Sequence, residues 1–326
     1  MAVITGTATR YDMEGLRENL TDVIYNISPM ETPFSSGLKR IKATQTLHEW
    51  QTDELAAADG DNAQLEGDDA TFTTPAATTR VGNYTQISRK TLVLSGTLEA
   101  VDKAGRKKET AYQIAKRGKE LKRDVETIML RSQGGDGGGA GTARRLAAMP
   151  AWPKTNTVFQ TGGTPAGADP TWTSGVPGAA RTDDNTGEAT FTETMLKTAI
   201  QSAWTEGGSP NVIMAGAHNK QNISGFSGIA SPTVDVTKKA PTFLVAAVDV
   251  YVSDFGNLRV VPNRFQRARD VWGIDYEYLA MPVLRNVKTE KLAKTGDAEK
   301  RQMIFEYTLK VGNEAAHFGI FDLETS

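Results

Sequence analysis

Residues 97–131 decide the fold, and they read TLEAVDKAGRKKETAYQIAKRGKELKRDVETIMLR. Their small and apolar members follow one another at steps of mostly three and four, which places them on one stripe of an α-helix. These members are Ala104, Ala111, Ile114, Ala115, Gly118, Leu121, Val125, Ile128 and Met129. Ser95 is a candidate N-cap, and Gly134 with Gly135 would stop the helix. The pattern predicts one long helix of roughly 50 Å.

This predicted helix is highly charged. It carries ten basic and six acidic residues, so its net charge is +4. Its apolar stripe is narrow, so a wide charged face stays uncovered when the stripe packs on a sheet. A face that simply contacts water is one interpretation. The length of the helix favours another, a spine across which neighbouring subunits lie.

Residues 44–94 predict an acidic hairpin. Residues 46–52 alternate as a strand, and residues 85–94 are the predicted return strand. Between residues 43 and 79 there is no Lys or Arg, and eight acidic residues give a local charge of about −8. Two strands with a long polar tip are too thin to bury a core. We therefore expect this hairpin to lie on another surface.

The hairpin and the helix are complementary in charge, and we predict that they meet across a subunit interface. Each exposed pair is worth only about 0–1 kcal/mol, so many pairs would set register and encounter rate more than affinity. The alternative is that both surfaces face water. The predicted contact residues are Asp53, Glu54, Asp59, Asp61, Glu66, Asp68 and Asp69 against Lys107, Lys108, Lys116, Lys119 and Arg123.

Length and composition restrict the class of protein. With 326 residues, the chain is long enough for two lobes. A net charge of −2 argues against a polycation that wraps nucleic acid, and the absence of cysteine excludes disulfides and thiol chemistry. We expect no signal peptide, because no basic region followed by an apolar run opens the sequence. The most apolar segment, residues 243–252, is too short to span a membrane.

The other segments predict an arm, a loop and a second lobe. Residues 1 to about 40 predict an extended arm with a small apolar anchor at Thr32-Pro33-Phe34, and residues 161–187 predict a surface loop. Helical spacing from Thr192, a buried strand at residues 211–216, a helix at 218–226 and a hairpin around residues 254–257 predict an α/β lobe. Alternation from Met303 to Val311 predicts a strand in a final, mostly β region.

No constellation of residues predicts catalysis. His48, His218 and His317 are isolated and lack the spacing of metal ligands. Residues 135–140 fit the letters of a dinucleotide fingerprint, but they follow a helix and enter a loop. The acidic hairpin lacks the ligand pattern of a calcium loop. We therefore predict a non-enzyme with no catalytic residues, no cofactor and no metal.

The order of these parts resembles a tailed-phage major capsid protein of the Hong Kong 97 fold. No single motif decides the resemblance, which covers most of the chain outside residues 161–187. The segments that carry it are residues 27–34 with 46–50, 104–106 through 118–124, 212–216 followed by 219–221, and 312–317.

The resemblance implies an α+β fold with a peripheral (P) domain, an axial (A) domain and an extended E-loop. The implied divisions are an N-terminal arm (1–43), the E-loop hairpin (44–94), the P-domain spine helix and following loop (95–145), the α/β A-domain (146–265) and strands returning to the P-domain (266–326). Some relatives crosslink a loop lysine to a neighbour's asparagine. The predicted hairpin tip has no lysine, so we do not expect that chemistry here.

The resemblance also implies partners and a location. It implies hexamers and pentamers that close an icosahedral shell around double-stranded DNA of a tailed bacteriophage, assembled in the host bacterial cytoplasm. It implies a portal protein at one vertex, contact with DNA without sequence specificity, no membrane, and scaffolding or decoration proteins as separate chains where they are used.

Two other functions stay open from the sequence. One is an encapsulin-like bacterial compartment of the same fold, which the sequence separates poorly from a phage shell. The other is a Gly-loop phosphate-binding enzyme, which nucleotide binding by the isolated monomer would support.

Overall fold

The computed structural model describes residues 30–67, 69, 70, 72, 74–102, 108–159, 169–181, 188–226 and 250–325. The α-helices in these ranges are α1 (Pro33–Gly37), α2 (Gly96–Ala100), α3 (Glu109–Leu130), α4 (Glu193–Thr205) and α5 (Ala217–Ser224). The strands are β1 (Lys39–Lys42), β2 (Leu47–Thr52), β3 (Thr79–Tyr84), β4 (Gln86–Ser95), β5 (Thr157–Val158), β6 (Thr171–Thr173), β7 (Val176–Ala179), β8 (Val212–Ala215), β9 (Val250–Ser253), β10 (Gly256–Pro262), β11 (Val271–Ile274), β12 (Leu279–Lys291), β13 (Ala298–Tyr307), β14 (Lys310–Val311) and β15 (Phe318–Ile320). Two large sheets with few helices confirm the predicted α+β class.

The first large sheet has the strand order β1–β12–β13–β4, and β14 also pairs with β12. β1 runs parallel to β12, whereas β12, β13 and β4 are antiparallel. The predicted alternation along β13 is confirmed, since Met303, Phe305 and Tyr307 are buried. Leu121 and Val125 of α3 belong to the same hydrophobic core. The apolar stripe of the helix therefore packs on this sheet, as its spacing predicts.

The second large sheet has the order β5–β15–β11–β8–β10–β9 and a hydrophobic core of its own. α4 contributes Leu196 and Ala199 to that core, and the Thr192 hydroxyl caps α4 by accepting a hydrogen bond from Met195 N at 3.4 Å. The helix predicted from Thr192, the strand at 211–216, the helix at 218–226 and the hairpin around 254–257 are confirmed as α4, β8, α5 and β9–β10.

The prediction of one unbroken helix over residues 97–131 is wrong. The Ser95 hydroxyl does cap a helix by accepting a hydrogen bond from Leu98 N at 3.2 Å, but this is the short helix α2. Val101 and Lys108 both have extended backbone angles, so α2 ends before α3 begins. Residues 103–107 lie outside the described part. α3 alone has 22 residues, roughly 33 Å at 1.5 Å per residue, and ends at Leu130.

The acidic hairpin pairs differently from the prediction. β2 pairs with β3, from Leu47 opposite Tyr84 to Thr52 opposite Thr79. The predicted return strand, residues 85–94, is a strand, but this strand, β4, pairs with β13 in the first sheet. Alternation identifies a strand without identifying its partner. Gly82 lies in the true return strand and weakens its β pattern, since glycine has low strand propensity.

The anchor predicted on the N-terminal arm is buried, but it is helical rather than extended. Phe34 is 0% exposed and Leu38 is 6% exposed. Pro33 opens α1, a position where its missing N–H and fixed φ fit a helix. The predicted extended conformation is therefore wrong for residues 33–37. Residues 1–29 of the predicted arm lie outside the described part.

A buried carboxylate joins this arm to α3. Glu126 is 0% exposed, and its Oε1 accepts hydrogen bonds from Phe34 N at 2.8 Å and Asn263 Nδ2 at 2.7 Å. Its Oε2 accepts a hydrogen bond from Ser35 N at 2.7 Å. Burial, together with the charge of Glu126, raises the pKa of Tyr276, whose hydroxyl points at Pro33 O. One side chain thus connects the arm, α3 and the segment after β10.

Part of the predicted surface loop, residues 161–187, is structured and buried. Residues 160–168 and 182–187 lie outside the described part, but β6 and β7 form a small hairpin between them. Arg181 is 1% exposed, and it forms an ion pair of 2.6 Å with Asp169. Its guanidinium lies 4.5 Å from the ring centroids of Phe159 and Phe321. Desolvation lowers the pKa of Arg181, and Asp169 opposes this shift.

The strands after residue 266 divide between the two sheets. β12, β13 and β14 belong to the first sheet, whereas β11 and β15 belong to the second. The resemblance implied that the strands of residues 266–326 all return to one domain, but they pair in both large sheets. The reason is that both cores are completed by strands from the last quarter of the sequence.

Candidate inter-subunit contact surfaces

The tip of the hairpin, residues 53–78, joins β2 to β3 without a helix or strand in its described part. Every described residue of this segment is exposed. The tip is therefore not covered by its own chain. The predicted acidic contact residues found here are Asp53, Glu54, Asp59, Asp61, Glu66 and Asp69, while Asp68 lies outside the described residues.

Three large apolar side chains accompany these acids. Leu55 is 99% exposed, Leu65 is 80% exposed and Phe72 is 91% exposed. Side chains of this size and exposure would bury apolar area if another molecule covered the tip. The sequence prediction weighed only charge and missed them. The sequence could have indicated these residues, because they are the only large apolar residues between positions 53 and 78.

The basic residues predicted to receive the tip lie along α3. Lys116 and Lys119 are exposed on the helix, and Lys108 is exposed at the residue before it. Arg123 is half-buried. Lys107 lies outside the described residues. The helix therefore presents a basic face to solvent, as the sequence predicts.

Among the described residues, leaving aside Asp69, ion pairs do not join the acidic set to the basic set. α3 takes part in ion pairs of Lys90 with Asp124 and of Arg117 with Glu120, both at 2.6 Å. In the part of the chain that the structure describes, no ion pair joins the basic set Lys108, Lys116, Lys119 and Arg123 to Asp53, Glu54, Asp59, Asp61 or Glu66. Contact between the two sets across a subunit interface stays a prediction.

A groove of about 420 Å³ lies beside α3, where this helix meets α1 and the first sheet, and Lys116, Lys119 and Arg123 do not line it. Leu121 and Val125 of the helix and Phe305 of β13 give it an apolar floor, and Arg40 and Lys122 stand at its rim. A basic rim around an apolar floor is complementary to a segment that carries acids and exposed leucine and phenylalanine side chains. Sequence reasoning missed this groove, because it forms only where α1, α3 and the sheet meet.

The base of the hairpin, in contrast with its tip, is anchored on the body of the chain. The ring centroids of Trp50 and Trp152 lie 5.5 Å apart. Gly82 N donates a hydrogen bond to Gly175 O at 3.1 Å. Gly175 has a φ of +79°, and a Cβ there would lie 2.1 Å from Arg80 O. The hairpin is thus fixed at one end and uncovered at the other.

The three histidines lie in separate segments, His48 in β2, His218 in α5 and His317 directly before β15. His317 is buried, and its Nδ1 accepts a hydrogen bond from Asp275 N at 3.2 Å. Burial lowers the pKa of His317 to about 3. Burial also lowers the pKa of His48, with a smaller effect from the charge of Lys310. His218 lies in the first turn of α5. Among the residues that the structure describes, no group of three or more His, Asp or Glu side chains is arranged to hold a metal ion.

Residues 135–140 form part of a turn rather than a helix N-terminus. Asp136 pairs with Arg145, and Gly139 pairs with Thr142. The context that a dinucleotide fingerprint requires is therefore missing at this place. No helix among the described residues has the length and apolar character needed to cross a membrane.

Comparisons of the sequence find phage major capsid proteins. The profile of the SU10 major capsid protein family matches residues 3–324. The major capsid protein of Escherichia phage Phieco32 is 41% identical over 123 residues, which is 38% of this chain and 35% of that protein. The match thus spans about a third of the length of this curated relative.

Comparisons of the structure find solved chains of similar fold. A chain of the cyanophage A-1(L) capsid matches with a TM-score of 0.68 at 14% identity, over 95% of this chain and 98% of that chain. A chain of an encapsulin complex from Synechococcus elongatus matches with a TM-score of 0.56 at 10% identity, over 96% and 97%. At these identities the likeness shows a common fold.

Proposed function

The chain belongs to the SU10 major capsid protein family, and from this premise we propose that its copies associate into hexamers and pentamers of the icosahedral shell of a tailed-phage head. The predicted function of major capsid protein and the predicted Hong Kong 97-type fold are confirmed by the family match and the capsid neighbours. The observation that carries the assembly proposal is the uncovered tip of the hairpin, with its exposed Leu55, Leu65 and Phe72.

The two alternatives receive less support. The likeness to an encapsulin is one of fold alone, at 10% identity, whereas the capsid family profile extends over residues 3–324. The phosphate-binding enzyme depends on residues 135–140, which lie in a turn. A structural role in a shell requires no catalytic residue, and we propose none.

The proposed contact places the tip of one copy on α3 of the next. Acids of the tip and lysines such as Lys116 and Lys119 would steer the encounter, since exposed pairs add only about 0–1 kcal/mol each. The apolar side chains Leu65 and Phe72 would supply the affinity by filling the groove beside α3, because buried apolar anchors dominate interface energies. A contact between two different surfaces of one chain generates rings when its rotation closes.

The remaining partners follow from this function as proposals. We propose contact with a portal protein at one vertex, contact with packaged double-stranded DNA through phosphate charge without sequence specificity, and separate scaffolding or decoration proteins where they are used. We also propose assembly in the host bacterial cytoplasm. We also propose the division into arm, E-loop, P-domain and A-domain. In this division β11 and β15 belong to the A-domain, because they pair in the second large sheet.

The test is assembly of the purified full-length chain, followed by analytical ultracentrifugation and negative-stain microscopy. Wild type is expected to form closed shells or rings. D59K/D61K should weaken association most at low salt, because the Debye length is about 30 Å at 0.01 M and about 8 Å at 0.15 M salt. L65S/F72S should weaken association at every salt concentration, since it removes apolar anchors.

The matched control is E206K/E277K, which makes the same change in charge at exposed acids outside the tip. It should assemble as wild type does. If D59K/D61K also assembled like wild type at 0.01 M salt, charge steering by the tip would be wrong. If L65S/F72S assembled like wild type, the tip would not be the anchor.

A further inference from the structure

Thr85 lies at the bend where the chain passes from the hairpin into the first sheet, between β3 and β4. Its N–H donates a hydrogen bond to Thr46 O at 2.7 Å. Its carbonyl accepts one from Arg144 Nε at 3.1 Å, and its hydroxyl donates one to Glu306 Oε1 at 3.1 Å. The N–H, the carbonyl and the hydroxyl of Thr85 are therefore all hydrogen-bonded. The partners of the carbonyl and the hydroxyl are side chains from distant parts of the sequence.

The same two side chains form an ion pair whose carboxylate is buried. Glu306 is 3% exposed, and its Oε1 accepts a hydrogen bond from Arg144 Nη2 at 2.6 Å. Its Oε2 accepts one from Arg285 Nε at 2.6 Å. Charge-assisted bonds of this kind are short and strong, and they satisfy a carboxylate that would be costly to bury alone. One edge of the Arg144 guanidinium, Nε and Nη2, therefore donates hydrogen bonds to both the Thr85 carbonyl and the Glu306 carboxylate.

The segment that carries Arg144 follows α3 and also holds the residues on either side of Thr85. Ala147 N donates a hydrogen bond to Asn83 Oδ1 at 2.7 Å. Gln133 Nε2 donates one to Gln86 Oε1 at 2.9 Å. The direction in which the hairpin leaves the sheet is therefore specified by this segment, and not by the pairing of β2 with β3 alone.

We propose that Arg144 is a positioning residue for assembly: with Glu306 it fixes the angle of the hairpin, so that the tip reaches the neighbouring copy in one direction and shells close with one curvature. The inference rests on the proposed function, because only an associating chain needs a fixed hairpin angle. Arg144 itself is not required to touch the neighbouring copy.

The test measures the hairpin angle within one chain. Because the sequence has no cysteine, spin labels can be placed at G60C on the tip and T127C on α3, with labelled protein diluted into unlabelled protein. In R144Q, the distance distribution between the labels should broaden and shift. The amide of Thr85 should exchange with solvent about tenfold faster or more, because loss of the charge-assisted hydrogen bond from Arg144 to the Thr85 carbonyl makes local opening of this bend easier.

The matched control is R285Q, which removes a guanidinium from the same carboxylate without contacting Thr85. It should keep the wild-type distance distribution and shell diameter, whereas R144Q should give shells of mixed diameter. R144K should fall between R144Q and wild type. The ammonium of lysine cannot donate to both the Thr85 carbonyl and the Glu306 carboxylate as the forked guanidinium of arginine does.

Two results would overturn the proposal: a wild-type distribution in R144Q, or equal broadening in R144Q and R285Q. Measured at protein concentrations too low for assembly, the label distances report on a single chain, so they separate a failure of this inference from a failure of the tip contact, which D59K/D61K and L65S/F72S test.

Discussion

Replacing Glu126 by glutamine should weaken the connection between the N-terminal arm and α3. Glu126 is 0% exposed, and its two oxygens accept hydrogen bonds from Phe34 N, Ser35 N and Asn263 Nδ2. Glutamine keeps one acceptor oxygen and replaces the other with an NH₂ group. At least one of the three buried donors then loses its acceptor.

The magnitude follows from these contacts. A hydrogen bond to a charged group contributes about 1.5–3 kcal/mol, and a buried donor without a partner costs about 1–3 kcal/mol. A neutral amide is easier to bury than a carboxylate, which offsets part of the loss. We therefore expect E126Q to lower the free energy of unfolding by about 1–3 kcal/mol.

Urea unfolding of the full-length chain, followed by the fluorescence of its five tryptophans, measures this change. The control is E120Q on the same helix, where the carboxylate is partly exposed and pairs with Arg117. Its effect should stay below about 0.5 kcal/mol, as is usual for surface ion pairs. The amides of Phe34 and Ser35 should exchange faster in E126Q only. Equal unfolding free energies for E126Q and wild type would refute the reasoning.

Two further predictions concern acid sensitivity and the base of the hairpin. Burial lowers the pKa of His317 from 6.5 to about 3, so between these values the unfolded chain binds more protons and stability falls as the pH falls, by about 1.4 kcal/mol per unit. Urea midpoints at pH 7 and pH 5 should therefore differ more in wild type than in H317Q, and an equal difference would contradict this. G175A should lower the melting temperature, because φ is +79° and a Cβ would clash with Arg80 O. G178A in the same hairpin, where the nearest atoms lie 4.0 Å away, should have little effect, and equal melting of the two variants would count against the proposed strain.

Elements with a strong periodic pattern were predictable from the sequence. Thr192 and the apolar steps after it predict α4, and the alternation through Met303 and Phe305 predicts β13. The break between α2 and α3 was not predictable in the same way. The small and apolar residues on both sides of Val101 are compatible with helical spacing. The spacing therefore does not indicate that the backbone becomes extended at Val101.

Pairing and the contact surfaces were harder to predict. Alternation found β4 but assigned it to β2, because a strand pattern does not encode its partner. Charge located the acidic tip and the basic helix. It could not reveal the groove beside α3, whose floor joins Leu121 with Phe305, 184 positions later in the sequence. Such a surface exists only after the tertiary structure has formed.

The position of β15 has a consequence for synthesis. Residues Phe318–Ile320 insert between β5 and β11, although the ribosome makes them after every other strand of that sheet. A nascent chain that stops short of residue 318 leaves β5 without its neighbour and the core of the lobe open at Phe318 and Ile320. Unfinished chains therefore cannot present a completed lobe to a growing lattice, and incorporation has to wait until translation has passed this strand.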